Sequence, residues 1–325
     1  MNHLECVKPK RNKWYWYLLV IFLSWIAANT FGAIPLILVG ISSAIINGSL
    51  DFEALEKMDF EALGFDLNVG LACMMFIFAV LLLAAIVFIK LFHDRSWKEV
   101  INGTNRVRWS RFFFGFLVYG AILLISFMIG FVAEPEVIRF RFEPEKFFIL
   151  LLVAVILVPL QTTAEEFITR GYIAQGVASW TKSRWWAFLI PSLLFGLLHF
   201  DNDEIKVYGG IMIISYISSG LLYGFMSIMD DGIELAMGVH AVNNLMCALF
   251  ATYKGSSIQT YALFEITEID PVSNTLYEVI FGIILLVIFA YKYKWNLKII
   301  NQKVQFENST FETHPQPAFD DRSVQ

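Results

Sequence analysis

Glu165, Glu166, His199, His240 and Asn244 are polar residues set in stretches that are otherwise apolar: LLVAVILVPLQTTAEEFITRG, WWAFLIPSLLFGLLHF and GIELAMGVHAVNNLMCALF. A charged group at the centre of a membrane helix costs about 2.5–3.5 kcal/mol on insertion scales, so such residues face one another or a water-filled cavity. Two carboxylates, two imidazoles and an amide in one cavity look like a catalytic site. Histidine is the usual proton carrier near neutral pH and the commonest metal ligand. Glu166 and Arg170 are four apart on one helix face and can pair. Glu165 points about 100° away from Glu166, toward whatever lies on the next face. His240 and Asn244 also share a face, with Asn243 rotated off it. Each part has a plain structural reading beside the chemical one: an ion pair for Glu166 and Arg170, a satisfied packing histidine at His199, and a polar contact between helices for His240 and Asn244.

The elements that must position these residues are membrane spans. The chain is 57% hydrophobic and 16% charged, with a mean hydropathy of +0.61, whereas soluble domains carry about 25% charged residues. At about 20 apolar residues per span, eight are expected: 14–46, 67–91, 112–133, 147–170, 185–200, 207–229, 232–252 and 273–291. The first run exceeds a signal-peptide core of about 7–15 residues and is expected to remain as a span, kinked at Pro35. With the N-terminus inside, 18 of the 24 Lys and Arg fall on the cytoplasmic side. That bias predicts both termini in the cytoplasm of a cell-membrane protein. The expected fold is therefore all-α, a polytopic helix bundle. Residues 1–146 carry the N-terminal helices and an acidic outer loop, 147–252 the core, 253–300 the last span, and 301–325 a disordered tail.

On these boundaries Glu165 lies near the cytoplasmic end of its helix, while His199 lies about 14 residues, roughly 21 Å, from the start of its own. A fourth helix running on to about Trp180 would reconcile the depths, and it is the expectation adopted. The acidic repeat DFEALEKM–DFEALGFD at 51–66 suggests a short surface helix. Gly220 and Gly224 read as a helix-packing face. Asp230 and Asp231 fit a tight turn, and Asp201–Glu204 an outer loop. Asn29 and Glu278 are lone polar residues without an assigned partner. The three cysteines are too few and scattered for a disulfide framework. No basic nucleic-acid patch and no Walker, Rossmann or G-x-S-x-G pattern occurs.

In order along successive apolar segments, the motifs read E-E-x-x-x-R (165–170), F-x-x-x-H (195–199) and H-x-x-x-N (240–244). This set resembles the CPBP family of intramembrane proteases, which includes type II CAAX prenyl endopeptidases, bacteriocin-processing enzymes and self-immunity proteins. The resemblance covers about residues 147–250. It implies that Glu165 is the general base that activates water, and that His199 cooperates with it. It implies that His240 and Asn244 bind a metal or stabilise the oxyanion, with Glu166, Arg170 and Phe195 in support. Two chemistries stay open. Glu165, His199 and His240 could supply three ligands to Zn2+ and leave a fourth position for water. Alternatively, Glu165 and His199 could deprotonate water directly while Asn244 and His240 polarise the carbonyl. The implied substrate is a peptide or lipidated protein in the bilayer, possessing or lacking a prenyl group. The rival readings are a non-proteolytic immunity or scaffold protein of the same fold, and a proton-coupled transporter.

Overall fold

A computed structural model describes residues 3–7, 12–49, 51–56 and 59–306. The first apolar run folds as two helices, α1 (Trp14–Thr30) and α2 (Ile34–Asn47). Pro35 lies in the first turn of α2, where its missing N–H costs nothing. It therefore starts a helix, and the expected kink is a break across residues 31–33. Helix α3 (Phe52–Glu56) covers the first copy of the acidic repeat. The second copy is turn, and its Phe60 and Leu63 are buried with Val39 and Cys73. The segment is thus half a helix and half a tucked turn, because its aromatic and leucine positions have a core to enter.

Helices α4 (Leu67–His93), α5 (Trp97–Asn102) and α6 (Trp109–Ala133) follow. Helix α7 (Pro144–Glu166) runs without interruption into a π-helical stretch, Phe167–Ile173, and then α8 (Ala174–Thr181). The chain turns into α9 (Arg184–Leu198), α10 (Asp203–Tyr208) and α11 (Ile211–Met229). Helix α12 (Glu234–Leu245) passes into a second π-helical stretch, Met246–Phe250, before α13 (Pro271–Tyr293). Among the described residues the bundle is helical apart from loops and three strands of three residues each: β1 (Ile138–Phe140), β2 (Ala251–Tyr253) and β3 (Phe264–Ile266). Central β3 pairs antiparallel with β1 and parallel with β2. Strands this short show no alternation that could be read along the chain.

Among the described residues, six helical runs are long and apolar enough to cross a membrane: Trp14–Asn47, Leu67–His93, Trp109–Ala133, Pro144–Thr181, Ile211–Met229 and Pro271–Tyr293. The other two expected spans correspond to α9, with 15 residues, and to α12, with 12. Helix α12 is buried from Glu234 through Val242. A helix surrounded by protein need not present 20 apolar residues to lipid, which is why it can carry His240, Asn243 and Asn244.

Small residues let the neighbours close around it. A Cβ on Gly238 would lie 2.0 Å from the Phe112 carbonyl oxygen, and one on Gly115 would lie 2.7 Å from that of Leu235. Helices α6 and α12 therefore meet backbone to backbone. Helices α9 and α11 do the same, since a Cβ on Gly220 would lie 2.4 Å from the Ser192 carbonyl oxygen. The glycine face at 220 and 224 is a packing face, as expected. At one end of α12 the Arg108 guanidinium pairs with Glu234 at 2.5 Å and Asp230 at 3.3 Å, and Arg111 reaches Asp230 at 3.5 Å. Asp230 is thus a buried ion-pair partner as well as a turn residue.

The first residues of the expected tail are packed against the bundle. Ile300 and Val304 are buried, and the Val304 N–H donates to the Lys182 carbonyl at 3.0 Å. Residues 301–306 therefore lie against the α8–α9 turn because two apolar side chains anchor them. The rest of the proposed tail lies outside the described residues.

Candidate active site

The continuous run from Pro144 to Thr181 is 38 residues long. Glu165 lies near its middle, as the expectation of a fourth helix running on to about Trp180 requires. The polar residues fall just before a π-helical segment. Such segments are rare and recur at functional sites because the widened turn re-aims side chains. Asn244 likewise stands just before the second one.

Glu166 is fully buried and its Oε1 accepts from Arg170 Nη1 and from His240 Nδ1, both at 2.9 Å. Arg170 also donates to Thr169 Oγ1 and, through Nη2, to the Gly220 carbonyl, each at 3.0 Å. Its guanidinium carbon lies 4.3 Å from the Phe195 ring centroid. The ion pair expected from the i, i+4 spacing therefore forms, and it also anchors a catalytic candidate. A carboxylate accepts, so His240 Nδ1 donates, and the neutral tautomer with that proton has its lone pair at Nε2. Tyr223 stacks on this ring with centroids 4.8 Å apart and planes at 22°.

Glu165 takes the adjacent face, as the 100° step requires. Its Oε1 accepts from Gln161 Nε2 at 2.5 Å. Among the described residues its Oε2 has no hydrogen-bond partner, and it lies 3.7 Å from His240 Nε2. The Gln161 carbonyl oxygen accepts from Asn244 Nδ2 at 3.0 Å, and Asn244 Oδ1 accepts from Asn243 Nδ2 at 3.2 Å. An amide chain thus runs from Asn243 through Asn244 and Gln161 to one oxygen of Glu165, while the other oxygen is left free. Asn243, turned off the His240 face, enters as the end of that chain.

His199 stands apart from this group. It follows the last residue of α9, where its own N–H bonds to the Gly196 carbonyl at 3.2 Å. Ring Nδ1 donates to the Phe195 carbonyl at 2.7 Å, so the neutral tautomer with that proton again has its lone pair at Nε2. Among the described residues no carboxylate lies within ion-pair distance of it. The link is Phe195, whose ring contacts both His199, with centroids 4.5 Å apart, and His240, at 5.8 Å. Glu165, Glu166, His240 and Asn244 are joined directly or through Gln161, whereas His199 reaches them through a shared aromatic neighbour.

The donor chemistry suits zinc, since both imidazoles donate Nδ1–H to an oxygen acceptor, the arrangement that leaves Nε2 for a metal. The geometry does not gather the set: among the described residues no three His, Cys, Asp or Glu side chains are grouped closely enough to hold an ion. Sequence reasoning missed Gln161 and Tyr223. Gln161 had a signal, because it is four residues before Glu165 on the same face. Tyr223 had none, because stacking across helices has no spacing along the chain. The lone polar residues also find partners: Asn29 donates to the Trp25 carbonyl, and Glu278 accepts from Ser215 and Ser219.

Residues 144–246 match the family model described as type II CAAX prenyl endopeptidase Rce1-like. The chain is 30% identical over 301 residues to the uncharacterized protein YyaK of Bacillus subtilis (strain 168), an alignment covering 90% of this chain and 96% of that protein. No solved structure matches the chain significantly.

Proposed function

The chain belongs to the CPBP family, the family of the type II CAAX prenyl endopeptidases, and on that premise we propose that it is an intramembrane endopeptidase of the glutamate type. Its substrate is a peptide or lipidated protein held in the bilayer of the cell membrane, with both termini of the enzyme in the cytoplasm. Both glutamates leave Oε2 without a hydrogen-bond partner among the described residues, but Glu166 is charge-paired with Arg170, and the observation that carries the reading is where the free oxygen of Glu165 lies. One carboxylate oxygen is held by Gln161, and the other is unpartnered beside His240 Nε2. A buried carboxylate oxygen with no partner is costly unless something else meets it. Water is the reactant that fits there.

Glu165 Oε2 accepts a proton from that water as its oxygen attacks the scissile carbonyl. Asn244 uses one Nδ2 proton on Gln161 and keeps the other for the developing oxyanion. His240, held by Glu166 and stacked by Tyr223, has its Nε2 edge positioned to exchange a proton with Glu165 and pass it to the leaving amine. His199 offers a second such edge. The Glu166–Arg170 pair and Phe195 fix these groups without touching substrate.

The test is cleavage of a peptide library by the protein in membranes. Glu165→Ala and His199→Ala should each abolish or severely reduce cleavage relative to wild type. Wild-type rates from both variants would refute the assignment.

A further inference from the structure

Resting on the endopeptidase reading, we infer that Tyr216 and Glu204 are positioning residues that hold His199 so that only its Nε2 edge is presented to the site. Because α9 ends at Leu198, the His199 N–H turns to the Gly196 carbonyl, and the Phe195 carbonyl is taken by the ring instead. One contact fixes the tautomer but leaves the ring able to tilt about it. Two aromatic neighbours remove that freedom. Phe195 meets the imidazole with centroids 4.5 Å apart at 45°, and Tyr216 stacks on it at 4.5 Å and 20°. With Nδ1 occupied and two rings packed against the imidazole, Nε2 is the edge left for chemistry.

Tyr216 is itself held at its hydroxyl. The hydroxyl accepts from Asn202 Nδ2 at 2.9 Å and donates to Glu204 Oε2 at 3.1 Å. Glu204 is a buried carboxylate on the short helix α10. It also accepts from the Ser257 N–H at 2.6 Å, from Ser257 Oγ, and from Tyr253 OH at 3.5 Å. The carboxylate therefore ties α10, α11 and the loop after β2 to the ring that steadies His199. A surface loop needs no buried acid with this many donors. The direction of the chain, carboxylate to phenol to imidazole, gives Glu204 its role.

The experiment uses the full-length protein in proteoliposomes and a peptide that the wild type cleaves, with kcat and KM measured separately. Misplacing a catalytic group by about 1 Å costs on the order of 100-fold. Tyr216→Leu, which removes the stack, should lower kcat about 10–100-fold with little change in KM. Tyr216→Phe keeps the ring and should recover most of that loss. Glu204→Gln should lower kcat in the wild-type background and add little on top of Tyr216→Phe, because the hydroxyl it acts through is gone. Thermal unfolding checks that each variant is folded, and the Phe variant carries the test where Leu is not. Multiplicative effects of Glu204→Gln and Tyr216→Phe, or wild-type kcat in folded Tyr216→Leu, would overturn the inference. Glu165→Ala in the same assay separates the two claims. If it too is fully active, the endopeptidase reading fails. If it is inactive while the Tyr216 variants are normal, only the positioning role falls.

Discussion

Replacing Arg170 by methionine tests whether the site is built on a buried charge pair. Glu166 is fully buried, and its partners are the Arg170 guanidinium and the His240 imidazole, both on the same oxygen. Methionine fills much of the arginine volume, so packing over Phe195 is partly kept. The charge is lost, as are the bonds to Thr169 and to the Gly220 carbonyl. Breaking a buried pair by removing one partner costs about 3–5 kcal/mol, because the other charge is left uncompensated. At about 2–4 °C per kcal/mol, the midpoint of thermal unfolding should fall by roughly 6–20 °C. The double variant Glu166→Gln, Arg170→Met removes the stranded charge and should recover part of the loss. It should not recover peptidase activity, since His240 then lacks its carboxylate. Thermal unfolding in detergent, followed by cleavage in liposomes, reads both effects. An unchanged midpoint for Arg170→Met would refute the claim that the pair is structural, and a double variant less stable than the single would refute the reason given for it.

Gln161→Ala should lower kcat about 10–100-fold with KM little changed, since it frees Glu165 Oε1 and breaks the link to Asn244; steady-state kinetics show this. Gly238→Ala should destabilise by about 1–3 kcal/mol or more through overpacking, because its Cβ would lie 2.0 Å from the Phe112 carbonyl oxygen and force α6 from α12; thermal unfolding reads the loss. Chelators should leave cleavage unchanged, and metal analysis of active protein should find no stoichiometric zinc; activity lost on chelation and restored by zinc would replace the glutamate mechanism with a metal one. Burial pushes the Asp230 carboxyl up to about 6, against the pull of Arg108 and Arg111. The folded form then holds its proton more tightly than the unfolded form, so this group's stabilisation is full below about 4 and is lost as pH rises through 6, amounting to at most about 3 kcal/mol. Asp230→Asn should flatten that part of the stability profile.

Much of the site was legible along the chain because helix geometry turns spacing into direction. Four-residue steps placed Arg170 on Glu166 and His240 with Asn244, and a one-residue step sent Glu165 to a separate face. Apolar length identified the bundle, and the polar residues in it identified the helices with something to do. The ordered motifs carried the family, which the relative of similar length supports. Apolar length says least where burial replaces lipid as the surroundings of a helix. Helix α12 is polar for a span because protein encloses it, and α9 ends at Leu198, which leaves His199 just beyond the helix.

What only the tertiary structure decided is which polar atoms are spent and which are free. Composition assigns Glu165 and Glu166 the same chemistry. Their difference arises because Arg170 and His240 converge on one oxygen of Glu166 and pair its charge, while the hydrogen bond to Glu165 comes from the neutral Gln161 amide. The separation of His199 from the carboxylates, its two aromatic flanks, and the amide chain through Asn244 depend on contacts between helices far apart along the chain. Spacing determines which face of a helix a residue occupies, but only packing determines what faces it.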